Sequence, residues 1–375
     1  MSAKRNELTH IAGTFLIQAE GAFLNGGGLV KGEYGNTTAP KMFVDFKDKV
    51  PYVSSQAWKR WLRNTFQEEN PDLPHTELKQ IGTSEKGTTN KIGTEMDPVK
   101  FAEDDIFGYM RAQEGQGKSA KEEDETNGQD TETEANLEKD KKNNKKIKSV
   151  MRPAPFVASI LTSLRKNGWQ GLDKAYVHLQ EGTPQPYNTE FYNTQLQGIF
   201  GLNYSRLGCF RNEGDRIELD EKYVERYTKD GTIITKETSA GKHYEMADNP
   251  RKERAAAILK ALAVMRGGAK QAQFATDVTP KTIVLAGLNC GNLIFNDLFN
   301  DSKEGPILKL NTFKEVIEDY KDRIVGNVFI GIRDGYLSED NKQEVKSLHN
   351  REIGDIVVIV TSPIDAINQM LETLS

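Results

Sequence analysis

Between Ser54 and Glu69 the apolar residues Trp58, Trp61, Leu62 and Phe66, joined by Thr65, recur at i, i+3, i+4, i+8 and i+7, with a serine in N-cap position. That spacing places them on one face of an α-helix. No other segment constrains the fold as strongly, because a stripe with two tryptophans has to be buried against something the rest of the chain supplies. The preceding segment, Ile11 to Leu24, reads as a half-buried strand, with Ile11, Phe15 and Ile17 on one side and Thr14, Gln18 and Glu20 on the other. It ends in Asn25-Gly-Gly-Gly28, where glycine permits a tight turn and close approach of another backbone.

Further along, a loop rich in Gly and Thr runs to about Val50, and residues 70–100 read as a polar insertion. Asp105 to Arg111 is a short strand candidate, Pro155 to Leu164 a small ordered element, and Glu181 to Thr194 a protruding loop or hairpin arm with Pro184 and Pro186 among aromatics. A strand is expected over Leu196 to Phe210, and a charged surface hairpin over Ile217 to Tyr244, turning at Asp230-Gly231. A second helix spans Pro250 to Arg266, with Ala255, Ile258, Leu259, Leu262 and Met265 on one stripe, and Gly267-Gly268 ends it. Thr282 to Leu288 follows as a strand. The order strand, helix, strand, strand, helix, strand is the α+β, ferredoxin-like or RNA-recognition arrangement. From Asp301 a helix (Thr312 to Ile324), two strands (Val328 to Ile332, Asp355 to Val360) and a last helix (Ile364 to Leu374) form a C-terminal α/β extension.

The formal charge of -5 averages over unlike segments. Gln113 to Asp140 holds ten acidic residues and three lysines, and the rest of the chain is then at +2. Only Ala120, Ala135 and Leu137 are apolar in that stretch, so burial cannot offset its ordering entropy and disorder is expected. Lys141, Lys142, Lys145, Lys146, Lys148 and Arg152 follow, either as part of a solvated linker or as a mobile basic arm for phosphates. A membrane span is excluded, since the longest aliphatic run is Ile356 to Val360, and a cytoplasmic location is expected. Cys209 and Cys290 are read as small hydrophobes rather than a disulfide.

The first helix carries its chemistry opposite the tryptophans. Gln56, Lys59, Arg63 and Gln67 follow one another at spacings of three and four, with Arg60 and Asn64 alongside. Such a row suits phosphates along a single strand, although a solvated helix face would read the same way. The helix start at Ser54 and Ser55 offers orphan amides to an anion, and the loop Met265 to Gln271 adds Arg266, Lys270 and Gln271 around glycines. The glycine turn lacks the Lys-Ser/Thr ending of a nucleotide-triphosphate loop. His10, His75, His178, His243 and His349 are scattered, so no metal site and no cofactor are expected; Glu33, Asp45 and Asp48 could hold Mg²⁺ only as a less favoured reading.

With this strand, glycine turn and helix, the motifs Pro51-Tyr-Val-Ser-Ser-Gln-Ala-Trp-Lys-Arg-Trp-Leu-Arg63, Asp105-Ile-Phe-Gly-Tyr-Met110, Thr194-Gln-Leu-Gln-Gly-Ile-Phe-Gly-Leu-Asn-Tyr204 and Arg266-Gly-Gly-Ala-Lys-Gln-Ala-Gln-Phe274 resemble the CRISPR repeat-associated superfamily. The chain is most similar to the DevR-type (type I-B) Cas-seven family, the backbone subunit of the Cascade complex. That resemblance implies a hand: a ferredoxin-like palm (1–69 and 195–300), finger insertions (70–177, with a disordered linker at 113–148), a thumb hairpin (178–194) and the extension (301–375). It implies a non-catalytic protein whose copies stack along CRISPR RNA and present it for pairing with target DNA. Its further partners would be Cas-five, Cas-six and Cas-eight type subunits, and the outcome of targeting, destruction or recruitment of transposition proteins, stays open. The RNA contacts carried over are Asn25, Gly26, Ser55, Gln56, Lys59, Arg60, Arg63, Arg266, Lys270 and Gln271. The alternative is a metal-dependent ribonuclease of a type III-like complex using Asp45 or Asp48; where that group has Gly-Ser-Ser-x-Lys, this chain has Ser54-Ser-Gln-Ala-Trp-Lys59.

Overall fold

Six elements receive and flank the tryptophan face: strand His10–Ala22 (β1), helix Ser55–Glu69 (α1), strands Leu161–Ser163 (β2) and Gln185–Leu202 (β3), helix Arg251–Ala263 (α2) and strand Thr282–Leu288 (β4). The computed structural model describes residues 7–30, 37–77, 79–83, 90–111, 149–166, 169–177 and 185–374. The strands lie side by side as β4-β1-β3-β2, every neighbouring pair antiparallel, with Phe15 of β1 facing Gly198 of β3 and Ile283 of β4. This is the ferredoxin-like order expected from the sequence.

Both helices cover one face of the sheet. Trp58, Leu62 and Phe66 of α1 and Ile258, Leu259 and Leu262 of α2 are fully buried with Phe15, Leu196 and Phe200. The Trp58 ring meets Phe15 edge-on at 5.6 Å and Phe156 at 5.9 Å, and its indole N–H donates to the Ser159 carbonyl at 2.7 Å. Such a residue combines large apolar burial with a satisfied polar tip. Gly267, just past α2, has φ +152 and lies so close to the Trp61 side chain that a Cβ would enter it.

The C-terminal extension continues this same sheet. Strand Ile324–Ile332 (β5) pairs antiparallel with β4, Ile356–Thr361 (β6) runs parallel to β5, and Arg351–Ile353 forms the edge. Helix Pro363–Glu372 (α3), capped by Ser362, packs on α2 and β5 and sends Ile367 and Met370 into the core beside α1. Helices Leu310–Tyr320 and Glu339–Lys346 close the opposite face, where Phe313, Ile317 and Val345 cover Leu16, Val284 and Val328.

Strand β3 starts at Gln185, well before the expected Leu196, and ends at Leu202. Its first half pairs with Trp169–Val177 in a long hairpin, from Trp169 opposite Asn193 to Val177 opposite Gln185. Residues 178–184, the tip of the expected thumb, fall outside the described residues, as do the linker 113–148 with its lysine run and Glu33.

Two local expectations are corrected. Asp105–Arg111 is not one strand: Ala102–Phe107 is helical, Gly108 reverses at φ +68, and Tyr109–Arg111 joins a smaller sheet. Within Ile217 to Tyr244, residues Glu221–Lys229 form a helix, and the hairpin is Ile233–Thr238 with Gly241–Met246. Asp220 caps that helix by accepting from the Lys222 N–H, and Tyr227 packs with Phe210, Leu219 and Tyr244. The cap and a buried tyrosine outweigh the charged alternation that suggested a strand.

Candidate nucleic-acid interface

The glycine turn and the start of α1 are one unit. The Asn25 side chain accepts from the Ser54 N–H at 3.1 Å, and the Asn25 carbonyl accepts from the Lys41 N–H at 2.7 Å. Ser54 makes no side-chain cap hydrogen bond, so the first-turn amides at Ser55 and Gln56 open outward at the positive end of the helix. On the other side of the turn, Leu24 accepts from the Ala269 N–H at 2.9 Å, which fastens the loop carrying Lys270 to it. Residues separated by more than two hundred positions thus form one strip: helix start, turn, loop.

Two cations lie on the helix part of that strip. The side chains of Lys59 and Arg60 enter no hydrogen bond or ion pair among the described residues. Burial pulls the Lys59 ammonium below its usual range because its half-covered position has no carboxylate to compensate it. Arg60 is exposed, as are Gln56, Gly26 and Gly27. Lys270 sits in the left-handed region at φ 51, donates to the Thr189 hydroxyl at 2.5 Å, and lies 5.2 Å from the Phe23 ring and 5.8 Å from the Tyr187 ring. It too is pulled down by desolvation. Phe274 stacks on Phe23 at 6.4 Å and meets Phe191 at 5.7 Å, so the loop end of the strip is a lysine set among aromatic rings.

The other expected contacts are placed differently. Arg63 turns inward, its guanidinium 3.5 Å from Asp104 and 5.9 Å from the Phe107 ring, and Gln67 donates to Glu103 at 2.8 Å. The row on α1 therefore divides, its second half covering the acidic helix Ala102–Phe107. Asp104 explains why: burial pushes its carboxyl up to about 6, and Arg63 is the nearby charge that favours its ionised form. Arg266 is held by Glu68 at 2.9 Å and Glu69 at 2.6 Å, and its N–H donates to the Thr65 hydroxyl at 2.9 Å. Gln271 donates to the carbonyls of Gly267 and, at 3.1 Å, Thr276. Arg266 and Gln271 thus clip the loop to α1 and to itself.

Asp45 ion-pairs with Lys166 at 2.6 Å and lies opposite Asp48 across a tight turn. Among the described residues no group of three or more His, Cys, Asp or Glu is arranged to hold a metal ion. Cys209 and Cys290 are free thiols, half-buried rather than fully buried, and no described helix is long and apolar enough to cross a membrane. The aromatic setting of Lys270 was not legible in advance; the aromatic-rich stretch around Tyr187 and Phe191 was its only trace in the sequence.

No family model and no curated protein matches this sequence. Among solved structures, a chain of a "CRISPR RNA-guided surveillance complex, pre-nicking" aligns with 97% of this chain and 99% of its own length, at a TM-score of 0.51 and 11% identity. A chain of a "CRISPR RNA-guided surveillance complex" aligns over the same shares at a TM-score of 0.47 and 11% identity. The former likeness is one of fold, and it extends over nearly the whole of both chains.

Proposed function

We propose that this chain is the CRISPR RNA-binding backbone subunit of a type I-B-like RNA-guided surveillance complex, repeated along the guide and holding it for pairing with target DNA. The observation that carries the reading is the strip itself: the side chains of Lys59 and Arg60 have no partner among the described residues and flank an open helix start, with Asn25 tying the glycine turn to that start and Leu24 tying the turn to the Lys270 loop. A fold shared along its length with a surveillance-complex chain agrees with it. Phosphates of a single strand would lie on the amides of Ser55 and Gln56, on Lys59 and Arg60, and across the exposed Gly26. Lys270 would take the next phosphate, and Tyr187 or Phe274 near it would offer a ring face to a base. Arg63, Arg266 and Gln271 then act as positioning residues that fix the helix and loop.

Holding a guide by its backbone leaves base edges outward, so pairing rather than protein side chains supplies sequence specificity. Catalysis has no part in this role. Its partners are guide RNA, target DNA through the guide, further copies of the chain and the Cas-five, Cas-six and Cas-eight type subunits. The test is the nucleic acid that accompanies the protein on purification from cells holding a CRISPR array. Short RNAs that share one repeated flank are expected; DNA alone, or RNA of random sequence, would reject the proposal.

A further inference from the structure

A cavity of about 340 Å³ opens where the main sheet meets the smaller one, lined by His10 at the start of β1, Asn203 just after β3, and the charged residues Arg206, Arg211, Glu213, Arg216 and Glu218. At about 3.3 Å per residue, the length of β1 puts it roughly 40 Å from the glycine turn, at the other end of the strand. We propose that this cavity is a nucleotide-binding site distinct from the strip on α1, taking one phosphate-bearing nucleotide.

Charge is the first argument. Beneath the cavity, Asp105 binds Arg152 and Arg254, and Glu218 binds Arg206, Arg152 at 3.3 Å and Arg216 at 3.6 Å. Two carboxylates therefore serve four guanidiniums. Arg211 adds a further guanidinium at the cavity wall, its side chain exposed and without a hydrogen bond or ion pair among the described residues. The remaining lining carboxylate, Glu213, hydrogen-bonds His243 at 2.6 Å and lies within electrostatic reach of Arg211 and Arg206, so the lining itself sets three guanidiniums against two carboxylates. The group thus carries an excess of positive charge in a partly dry setting, where an anion is the natural complement.

Size and chemistry narrow the anion. The volume lies in the range of small-molecule pockets, about 300–1,000 Å³, and exceeds what a bare phosphate fills. Exposed Val157 and half-buried Leu293 give the cavity an apolar side that suits the flat face of a base. Asn203 and Asn292 line the same space. Asn203 uses its carbonyl oxygen for the Ser205 hydroxyl at 2.9 Å, which leaves its amide hydrogens to offer. A phosphate on Arg206, Arg211 and Arg216, a base on the apolar wall and base edges near the asparagines fill the site's capacities together.

The test is calorimetric titration of the full chain, stripped of nucleic acid, with each ribonucleoside 5′-monophosphate, the matching nucleosides and inorganic phosphate. At least one monophosphate should bind roughly tenfold or more tightly than its nucleoside, the scale of a hydrogen bond to a charged group, and Arg211→Ala should remove that advantage. Arg211 is exposed and its backbone N–H, not its side chain, meets Glu218, so this variant retains the local fold. A 5′-phosphorylated tetraribonucleotide that binds more tightly than the monophosphate identifies the source as a chain end; equal binding identifies a free nucleotide. Absence of binding, inorganic phosphate binding as well as any nucleotide, or an Arg211→Ala variant that binds like wild type would each overturn the proposal.

Discussion

Replacing Asp105 by alanine should be among the most damaging single changes in this protein. Its carboxylate is fully buried, binds Arg152 through one oxygen and Arg254 through the other, and accepts from the Gly208 N–H at 2.8 Å. Without it, Arg152, also fully buried, keeps only Glu218 at 3.3 Å as a counter-charge, and Arg254 keeps the carbonyls of Pro98 and Val99. Removing one partner of a buried ion pair costs about 3–5 kcal/mol, and the orphaned Gly208 N–H adds about 1 kcal/mol. Asp105→Ala should therefore lose about 4–6 kcal/mol. Asp105→Asn, which keeps the shape and an acceptor for Gly208, should lose less. The control is Asp220→Asn at the half-exposed pair with Arg111 (2.7 Å), where asparagine still caps the helix and the loss should stay below about 1 kcal/mol. Urea denaturation followed by circular dichroism reads all three without adding salt. If Asp105→Ala unfolds within 1 kcal/mol of wild type, or no differently from Asp220→Asn, the reading of Asp105 as the buried counter-charge on which Arg152 and Arg254 depend is wrong.

Other predictions follow from single sites. Because the Asp104 carboxyl is raised to about 6 when folded, the native state holds a proton that the unfolded chain, titrating near 4, has released. Its contribution to stability is thus present below pH 4 and is lost as pH rises from about 4 to 6, by about 3 kcal/mol. Subtracting the stability profile of Asp104→Asn from that of wild type should isolate this slope, and parallel profiles would contradict it. Gly267→Ala should cost about 1–3 kcal/mol in thermal unfolding, because its Cβ enters the Trp61 ring at a φ that suits glycine; an unchanged midpoint would show that the loop does not seat there. Trp58→Ala, at a fully buried position with its N–H bonded to Ser159, should cost about 3–5 kcal/mol by the same measurement.

The core sheet and its two helices were legible because their signals are local. Trp58, Trp61, Leu62 and Phe66 announce α1, and the seven apolar or small residues Thr282–Leu288 become β4 unchanged. What could not be read depends on partners distant in sequence. Arg63 looked like a phosphate ligand because Asp104, 41 positions later, gives no sign that it will be buried against it. Arg266 likewise shares no local pattern with Glu68 and Glu69. The helix at Glu221–Lys229 was hidden because Tyr223, Val224 and Tyr227 are few among many charges, and only the cap at Asp220 marked it. The place of the C-terminal strands escaped for a related reason: nothing within Ile356–Thr361 states that it will lie parallel to Ile324–Ile332 and widen the main sheet.

The salt dependence of guide RNA binding is the most direct test of the α1 strip. Each phosphate neutralised on a single strand contributes about 0.7 to the slope of log affinity against log salt. Lys59→Ala/Arg60→Ala should therefore weaken binding and flatten that slope by about 1.4, while circular dichroism and unfolding stay as in wild type. Binding and slope that both match the unaltered protein would contradict the account.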